Sequence, residues 1–219
     1  MKSLIVSVLI LVLLLDPVNL FCQTNRLDIG IEGGPSVIFI NGSCDHLNPG
    51  IGFSAGPFIQ YNFRKFFSIR ADFSFERKGE RDINSHGEIS RINYNYLISQ
   101  IFGRMTFGKK INFFFQTGLF SGYLLRGYTV NNAWPKELGR TYETTQFFNR
   151  FDWGLSTGIG MNIPLWQRFL VSVEVRYNLG LYQIVKDDIS QESHWYEKTN
   201  SVNFLVGVAY RFSQRKNKE

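Results

Sequence analysis

Charged side chains that are able to do chemistry stand at alternate positions in segments otherwise made of glycine, serine and apolar residues. Each charge shares its parity with the glycines and serines, so all of these charges fall on one face of an extended chain. Carboxylates and guanidinium groups placed in this way form a paired packing network, line a narrow ion path or serve as an acid–base pair. The residues concerned are Glu32, Arg70, Asp72, Glu76, Arg104, Asp152, Glu174, Arg176 and Arg211.

Histidines, the usual general bases of enzymes, are rare in this chain. His46, His86 and His194 all fall in predicted loops, and the serines next to two of them are neighbours in sequence only. No nucleophile, base and orienting acid stand at a recognisable spacing. The sequence therefore predicts that the protein is not an enzyme.

Metal and cofactor sites have equally little support. Asp187, Asp188, Glu192 and His194 share one segment, but their spacing matches no known ligand set. The two Gly-Ile-Gly triplets lack the strand–turn–helix context of a nucleotide loop. We therefore expect no metal and no cofactor.

The elements that position the nine charges are eight segments in which apolar and polar residues alternate, as is typical of β-strands. Five are regular, and three, at 27–39, 92–107 and 111–128, are weaker; the first contains Gly33-Gly34-Pro35, where we expect a bend. The predicted strands span residues 27–39, 51–61, 68–76, 92–107, 111–128, 151–162, 169–180 and 202–212.

Glycines crowd the polar face of these strands. On a solvent face, glycine weakens a strand and contributes no packing. Inside a narrow eight-stranded barrel, which has just enough room for side chains, glycine relieves crowding. The sequence therefore predicts that the polar face lines a lumen plugged by the charge network, while the apolar face contacts lipid. The glycines are Gly30, Gly52, Gly56, Gly118, Gly122, Gly154, Gly158, Gly160, Gly180 and Gly207.

The connections between the strands alternate in length. Long breaks at 41–49, 79–91, 129–149 and 186–201 alternate with short ones at 62–65, 108–110 and 164–168. Transmembrane barrels have long external loops and short periplasmic turns. This order predicts an even number of strands with both chain ends in the periplasm.

Aromatic residues make up 16% of the 219 residues, although the mean hydropathy is only −0.12. Many stand at predicted strand ends, among them Phe66, Phe67, Trp166 and Phe212. Such positions are typical of the aromatic girdles at membrane interfaces, with ordinary core aromatics as the alternative.

The first residues have the pattern of a secretory signal peptide. Lys2 precedes an apolar stretch at 4–15, which is too short to cross a bilayer as a helix, and Asp16-Pro17 ends it. We predict a signal peptide at 1–22 and a barrel domain at 23–219; a lipoprotein signal at Cys22 and an N-terminal core element are the alternatives. Only Cys44 then remains, which excludes an intrachain disulfide.

The formal net charge is +6, but an exported chain does not meet nucleic acid, so we expect no nucleic-acid partner. Several basic residues lie near the predicted outer rim, where guanidinium groups suit lipopolysaccharide phosphates. Ordinary solvated loop charge explains them equally well. They are Arg77, Lys78, Arg81, Arg91, Arg126, Lys136, Arg140 and Arg150.

Three segments, FDWG…GIG at 151–160, EVRYNLGL at 174–181 and GVAYRF at 207–212, resemble the PorT-like outer-membrane β-barrel domain family. The resemblance spans most of the mature chain and implies a small barrel of Gram-negative bacteria. PorT itself is associated with a secretion system. Phe212 also resembles the terminal aromatic that the barrel-assembly machinery reads, although residues 213–219 follow it.

The sequence thus predicts an all-β protein, an eight-stranded antiparallel up-and-down transmembrane β-barrel of the bacterial outer membrane. We expect a structural or binding role with specificity in the extracellular loops. Two alternatives are an accessory subunit of a secretion or envelope complex and a soluble lipocalin-like ligand-binding barrel with its faces inverted. The expected partners are outer-membrane lipid, lipopolysaccharide, the barrel-assembly machinery during insertion and an unidentified envelope protein.

Overall fold

Extended chain dominates the computed structural model, which describes residues 26–42, 49–64, 66–83, 89–108, 111–131, 141–166, 168–186 and 197–213. A 3-10 turn at Thr145–Phe147 is the one helical element in these ranges, and no helix there is long and apolar enough to cross a membrane. The strands are β1 Arg26–Gly42, β2 Gly50–Asn62, β3 Phe67–Ile83, β4 Ile89–Gly108, β5 Asn112–Asn131, β6 Thr141–Glu143, β7 Phe151–Pro164, β8 Phe169–Gly180 and β9 Glu197–Ser213.

The eight long strands form one closed ring. Each pairs antiparallel with the next long strand in the chain, and β9 pairs with β1 to complete the circle. The short β6 lies outside the ring and extends the outer end of β5, with Tyr128 opposite Glu143. The predicted eight-stranded antiparallel up-and-down barrel is confirmed. The predicted signal peptide at 1–22 lies outside the described residues.

Burial alternates along the strands in the sense that the sequence predicts. In β7, Phe151, Trp153 and Leu155 are exposed, whereas Asp152 and Ser156 are buried. The apolar side chains therefore point away from the barrel axis and the polar ones point into the lumen. This is the reverse of a soluble barrel, so the inverted, lipocalin-like arrangement is wrong.

Inward phenylalanines and inward glycines face each other across neighbouring strands. A Cβ atom at Gly30 would lie 2.6 Å from Cζ of Phe58, and one at Gly154 would lie 2.7 Å from Cε1 of Phe120. The glycines on the polar face thus give space to aromatic rings, which the sequence pattern did not predict. The register partners are Gly30 and Phe58, Phe102 and Gly118, Phe120 and Gly154, and Phe114 and Gly160.

Several predicted loop boundaries are wrong. Strands β3 and β4 continue to pair from Gly79–Asn93 out to Ile83–Ile89, through most of the predicted loop at 79–91. The predicted loop at 129–149 contains β6 and the 3-10 turn, and β9 begins at 197. Strand pairing needs only backbone hydrogen bonds, so it continues where the lipid-facing alternation on which the prediction rested has ended.

Pro35 interrupts the pairing of β1 on one side. The register with β2 is continuous through Gly33, Gly34 and Pro35, whereas pairing with β9 stops after Gly33–Val206 and resumes at Ser36–Asn203. Proline has no backbone N–H to donate to a neighbouring strand. The Gly-Gly-Pro segment therefore weakens one seam of the barrel without ending β1.

Candidate functional site in the barrel lumen and at its rim

The centre of the lumen holds three arginines and three carboxylates, which we call the central layer. None of the six is more than 7% exposed. They project from β1, β3, β4 and β8, whose inward positions bring them to one level of the barrel. Equal numbers of each charge allow the layer to be neutral as a whole. Its members are Glu32, Arg70, Asp72, Arg104, Glu174 and Arg176.

Arg176 is the hub of the central layer because it contacts all three carboxylates. Its Nη2 lies 2.8 Å from Oε1 of Glu32 and 2.9 Å from Oδ2 of Asp72, and its Nε lies 2.6 Å from Oε1 of Glu174. Arg70 pairs with Glu32 and, at 2.6 Å, with Asp72. Buried charges are tolerated when they are paired in this way.

Two glutamines complete the hydrogen bonding of the layer. Gln116 accepts from Nε of Arg104 at 2.8 Å and donates to Oε1 of Glu174 at 2.7 Å. Gln100 accepts from Nη1 of Arg176 at 2.7 Å and donates to Oδ1 of Asn178 at 3.1 Å. Neither glutamine was among the nine predicted network residues, although both share the inward parity that identified those residues.

Each arginine of the central layer also lies over an inward phenylalanine ring. The Cζ atom is 3.7 Å from the ring centroid for Arg70 on Phe58 and 3.8 Å for Arg104 on Phe114. The third pair, Arg176 on Phe102, is longer, at 4.8 Å. Cation–π attraction is strongest at such desolvated sites. The rings that face the inward glycines therefore also support the charges.

Arg211, the ninth predicted network residue, belongs to a separate pair at the inner end of the barrel. Its Nε and Nη2 donate to Oδ1 and Oδ2 of Asp28 at 2.8 and 2.9 Å. Asn62 also donates to Asp28, at 3.0 Å. A cavity of about 10 Å³ lies between this pair and the central layer. It has room for about one water molecule.

Glu76 and Asp152 lie nearer the outer end, with Lys78 between them. Lys78 donates to Oγ1 of Thr199 at 3.2 Å and lies 3.7 Å from Oδ2 of Asp152, and its Nζ is 4.8 Å from the ring centroid of Tyr96. The prediction that Lys78 lies at the outer rim is wrong, because it is 2% exposed and faces the lumen. Within the described residues, Glu76 has no ion-pair partner.

Apolar side chains close the outer end of the lumen above these charges, and we call them the outer cap. Phe148, Ile184 and Val185, which lie outside the long strands, pack on the upper ends of β4 and β5. Backbone bonds hold them there, including Asn149 N–H to the Ile184 carbonyl at 2.7 Å. The cap consists of Tyr94, Tyr96, Ile98, Phe120, Leu124, Phe148, Ile184 and Val185.

The remaining predicted rim residues are distributed over the wall and the loops. Arg77 and Arg126 lie on the outward face of β3 and β5, and Arg150 is exposed just before β7. Arg81 and Arg91 are register partners in β3 and β4 rather than loop residues. Lys136 and Arg140 lie outside the described residues, as do the three histidines.

The chemistry open to this interior is limited by its burial. The carboxylates of the central layer are paired with arginine and enclosed, so a substrate has no access to them. In the described part of the chain no three His, Cys, Asp or Glu side chains are grouped as metal ligands. The arrangement is that of a filled lumen with charged residues at its centre and apolar residues at its outer end.

A closed antiparallel barrel with an apolar outer wall and a polar interior is a transmembrane β-barrel. The sequence matches the model of the outer membrane protein beta-barrel domain over residues 21–186, and the chain belongs to that family. The protein is therefore an integral protein of the bacterial outer membrane. The PorT-like family indicated by sequence resemblance is a finer assignment than this match.

Solved structures of outer-membrane barrels have the same fold. Ail of Yersinia pestis is 14% identical, with a TM-score of 0.51, over 87% of this chain and 100% of Ail. OprG of Pseudomonas aeruginosa is 12% identical, with a TM-score of 0.49, over 88% and 99%. Neisserial surface protein A is 11% identical, with a TM-score of 0.47, over 84% and 97%. No curated protein matches the sequence.

Proposed function

We propose that this protein is a non-conducting outer-membrane barrel whose role is structural or binding, with specificity in its extracellular loops. The observation that carries the proposal is the central layer, whose three arginines are at most 1% exposed. Side chains that line a water-filled pore are wetted, whereas these are not. A barrel filled in this way has its outer surface and its loops available for function.

The width of an eight-stranded barrel supports the same proposal. Its interior has room for side chains but not for an aqueous channel, which needs sixteen or more strands in porins. The outer cap adds a second closure at the external end. We therefore propose neither transport through the lumen nor enzymatic activity, since the buried carboxylates are inaccessible to a substrate.

Processing and insertion form part of the proposal. Residues 1–22 act as a signal peptide and residues 23–219 form the barrel domain, which the barrel-assembly machinery inserts. Outer-membrane lipid surrounds the apolar wall, and lipopolysaccharide contributes phosphates to basic residues at the outer rim. An envelope protein that binds the long loops is the remaining partner.

The resemblance at 151–160, 174–181 and 207–212 supports a second candidate, an accessory subunit of a secretion or envelope complex of the PorT kind. Cross-linking in native membranes followed by mass spectrometry tests it. Reproducible cross-links from loop residues to one secretion component support the subunit role. Cross-links to lipid-matrix components alone contradict it.

Liposome swelling tests the proposed non-conducting barrel. We expect liposomes that contain the folded protein to swell in arabinose no faster than protein-free liposomes, because no water path crosses the central layer. Heat-modifiable migration on a gel checks that the inserted protein is folded, and a known porin provides the positive control. Swelling that increases with the amount of folded protein contradicts the proposal.

A further inference from the structure

Three arginines gather on the outward wall where its apolar surface ends. Arg77 of β3 and Arg126 of β5 are both register partners of Asn95 of β4, so one strand separates them. Adjacent strands lie about 4.8 Å apart, which places the two backbones about 10 Å apart. Arg150 is close to the same wall because its Nη1 donates to the Tyr123 hydroxyl at 3.1 Å. We call these three residues the arginine ledge.

The ledge marks a sharp change in the chemistry of the outer wall. On its inner side the outward residues are apolar, as with Phe73, Ile101 and Leu119, which are 49%, 65% and 62% exposed. Such a surface contacts acyl chains. The ledge therefore stands at the level where acyl chains give way to headgroups, on the loop side of the barrel.

The guanidinium groups of the ledge are only weakly engaged within the protein. Arg77 donates to Oδ1 of Asn93 at 3.3 Å and lies 5.8 Å from the Tyr128 ring centroid. Arg126 is 3.9 Å from Glu143, with both side chains about 60% exposed, and such a pair contributes little. The ledge thus has three positive charges against one carboxylate, and its donors remain available.

We infer that the arginine ledge binds the phosphate groups of a phosphorylated glycolipid of the outer leaflet, the lipid A portion of lipopolysaccharide, whose acyl chains lie on the apolar wall beside it. Guanidinium groups match phosphate oxygens with paired hydrogen bonds. The position favours a lipid-linked phosphate over a soluble one, because the ledge adjoins the acyl-chain surface. This inference rests on the proposed lipopolysaccharide contact and assigns it to the barrel wall rather than to the loops.

Retention of labelled lipid A tests the inference. Folded full-length protein in phosphatidylcholine nanodiscs is incubated with bisphosphorylated lipid A, and the bound lipid per barrel is counted by native mass spectrometry. We expect the R77Q/R126Q/R150Q variant to retain at least tenfold less lipid A than the natural chain. Arg64 and Arg168 lie at the opposite rim, so R64Q/R168Q is the matched control and should retain as much as the natural chain.

Further arms identify the ligand and guard against misfolding. Dephosphorylated lipid A and phosphatidylglycerol should be retained at least tenfold less, and millimolar inorganic phosphate should not displace lipid A. Equal retention of either lipid, or displacement by phosphate, overturns the inference. If the triple variant does not fold, R126Q alone, which alters an exposed side chain, should still lower retention.

The failure of this inference is distinguishable from the failure of the proposed function. Natural protein that retains lipid A equally well with and without the ledge overturns the ledge but leaves a lipopolysaccharide contact elsewhere. Natural protein that retains no lipid A overturns the ledge and the lipopolysaccharide contact together. The non-conducting barrel is judged separately, by swelling.

Discussion

The centre and the outer end of the same lumen are closed by opposite chemistries. In the central layer every side chain comes from a long strand, and Arg176 alone contacts Glu32, Asp72 and Glu174. In the outer cap, Phe148, Ile184 and Val185 come from segments outside the long strands and contribute apolar surface. The register of the barrel therefore determines the first closure, and the folding of the loops determines the second.

This difference has an energetic consequence. A buried ion-pair network depends on each partner, since loss of one leaves an uncompensated charge. Apolar packing is non-directional and loses free energy roughly in proportion to the atoms removed. We therefore expect single substitutions to be costly at the centre and mild at the cap.

Replacing the hub of the central layer should have the largest effect. Arg176→Leu leaves three carboxylates with two arginines, and we expect it to lower the free energy of unfolding by about 3–5 kcal/mol. Urea unfolding in lipid vesicles, followed by tryptophan fluorescence, measures this. Arg168→Leu, at an exposed arginine whose Nη1 donates to the Tyr210 hydroxyl, is the control and should cost less than about 1 kcal/mol. Equal losses in the two variants would contradict the role of the hub.

The lipid-facing wall gives the next effect and sharpens the comparison, because it has no network. Val206 is 56% exposed in the middle of β9, and Val206→Arg should cost roughly 2–4 kcal/mol at mid-bilayer. Phe212→Arg, near the end of the same strand, should cost about 0–1 kcal/mol. The same unfolding assay compares them. A fully stable Val206→Arg protein would show that the assignment of the two faces is wrong.

A small deletion in the outer cap should have a modest effect. Ile184 is fully buried, and Ile184→Val removes one methylene, so we expect a loss of about 0.5–1.5 kcal/mol. Val171→Ala on the partly exposed outer wall provides a comparison outside the cap. Native-state proteolysis should also show faster cleavage in the segments around 148 and 184. Unchanged stability together with unchanged proteolysis would mean that Ile184 is not packed in the cap.

The smallest effect separates a paired carboxylate from an unpaired one. Glu76 has no ion-pair partner within the described residues, so Glu76→Gln should change stability by less than about 1 kcal/mol, in the stabilising direction. Glu174→Gln, which removes charge from the central layer, should instead be destabilising. The sign of the difference in urea midpoint is the measurement. A large loss on Glu76→Gln would indicate an essential partner for that carboxylate.

The centre could be predicted from the sequence because parity alone identifies the inward face. Glu32, Arg70 and Glu174 stand among glycines and serines, and the same parity extends to Lys78, which was misplaced only because β3 was ended at Glu76. The phenylalanines under the arginines were harder. Both faces of β5 are apolar around Phe114, and its inward side follows only from the register that sets it opposite Gly160.

The cap could not be predicted because it depends on contacts between segments far apart in the chain. Phe148 and Val185 meet in an isolated bridge between two predicted loops, and neither lies in a run of alternating residues. The outer extensions of β3 and β4 were missed for a related reason. There the strands leave the lipid, so Gly79 and Asn93 pair without the apolar alternation that marks a membrane strand.

The ionic current through single inserted barrels tests most directly whether the central layer closes the lumen. It is recorded across planar bilayers for the natural chain and for a variant without the cap side chains, F148G/I184G/V185G. We expect no steady current from either protein, because the central layer remains filled when the cap is removed. A steady, porin-like conductance from the folded natural chain, or from the variant alone, would contradict this account.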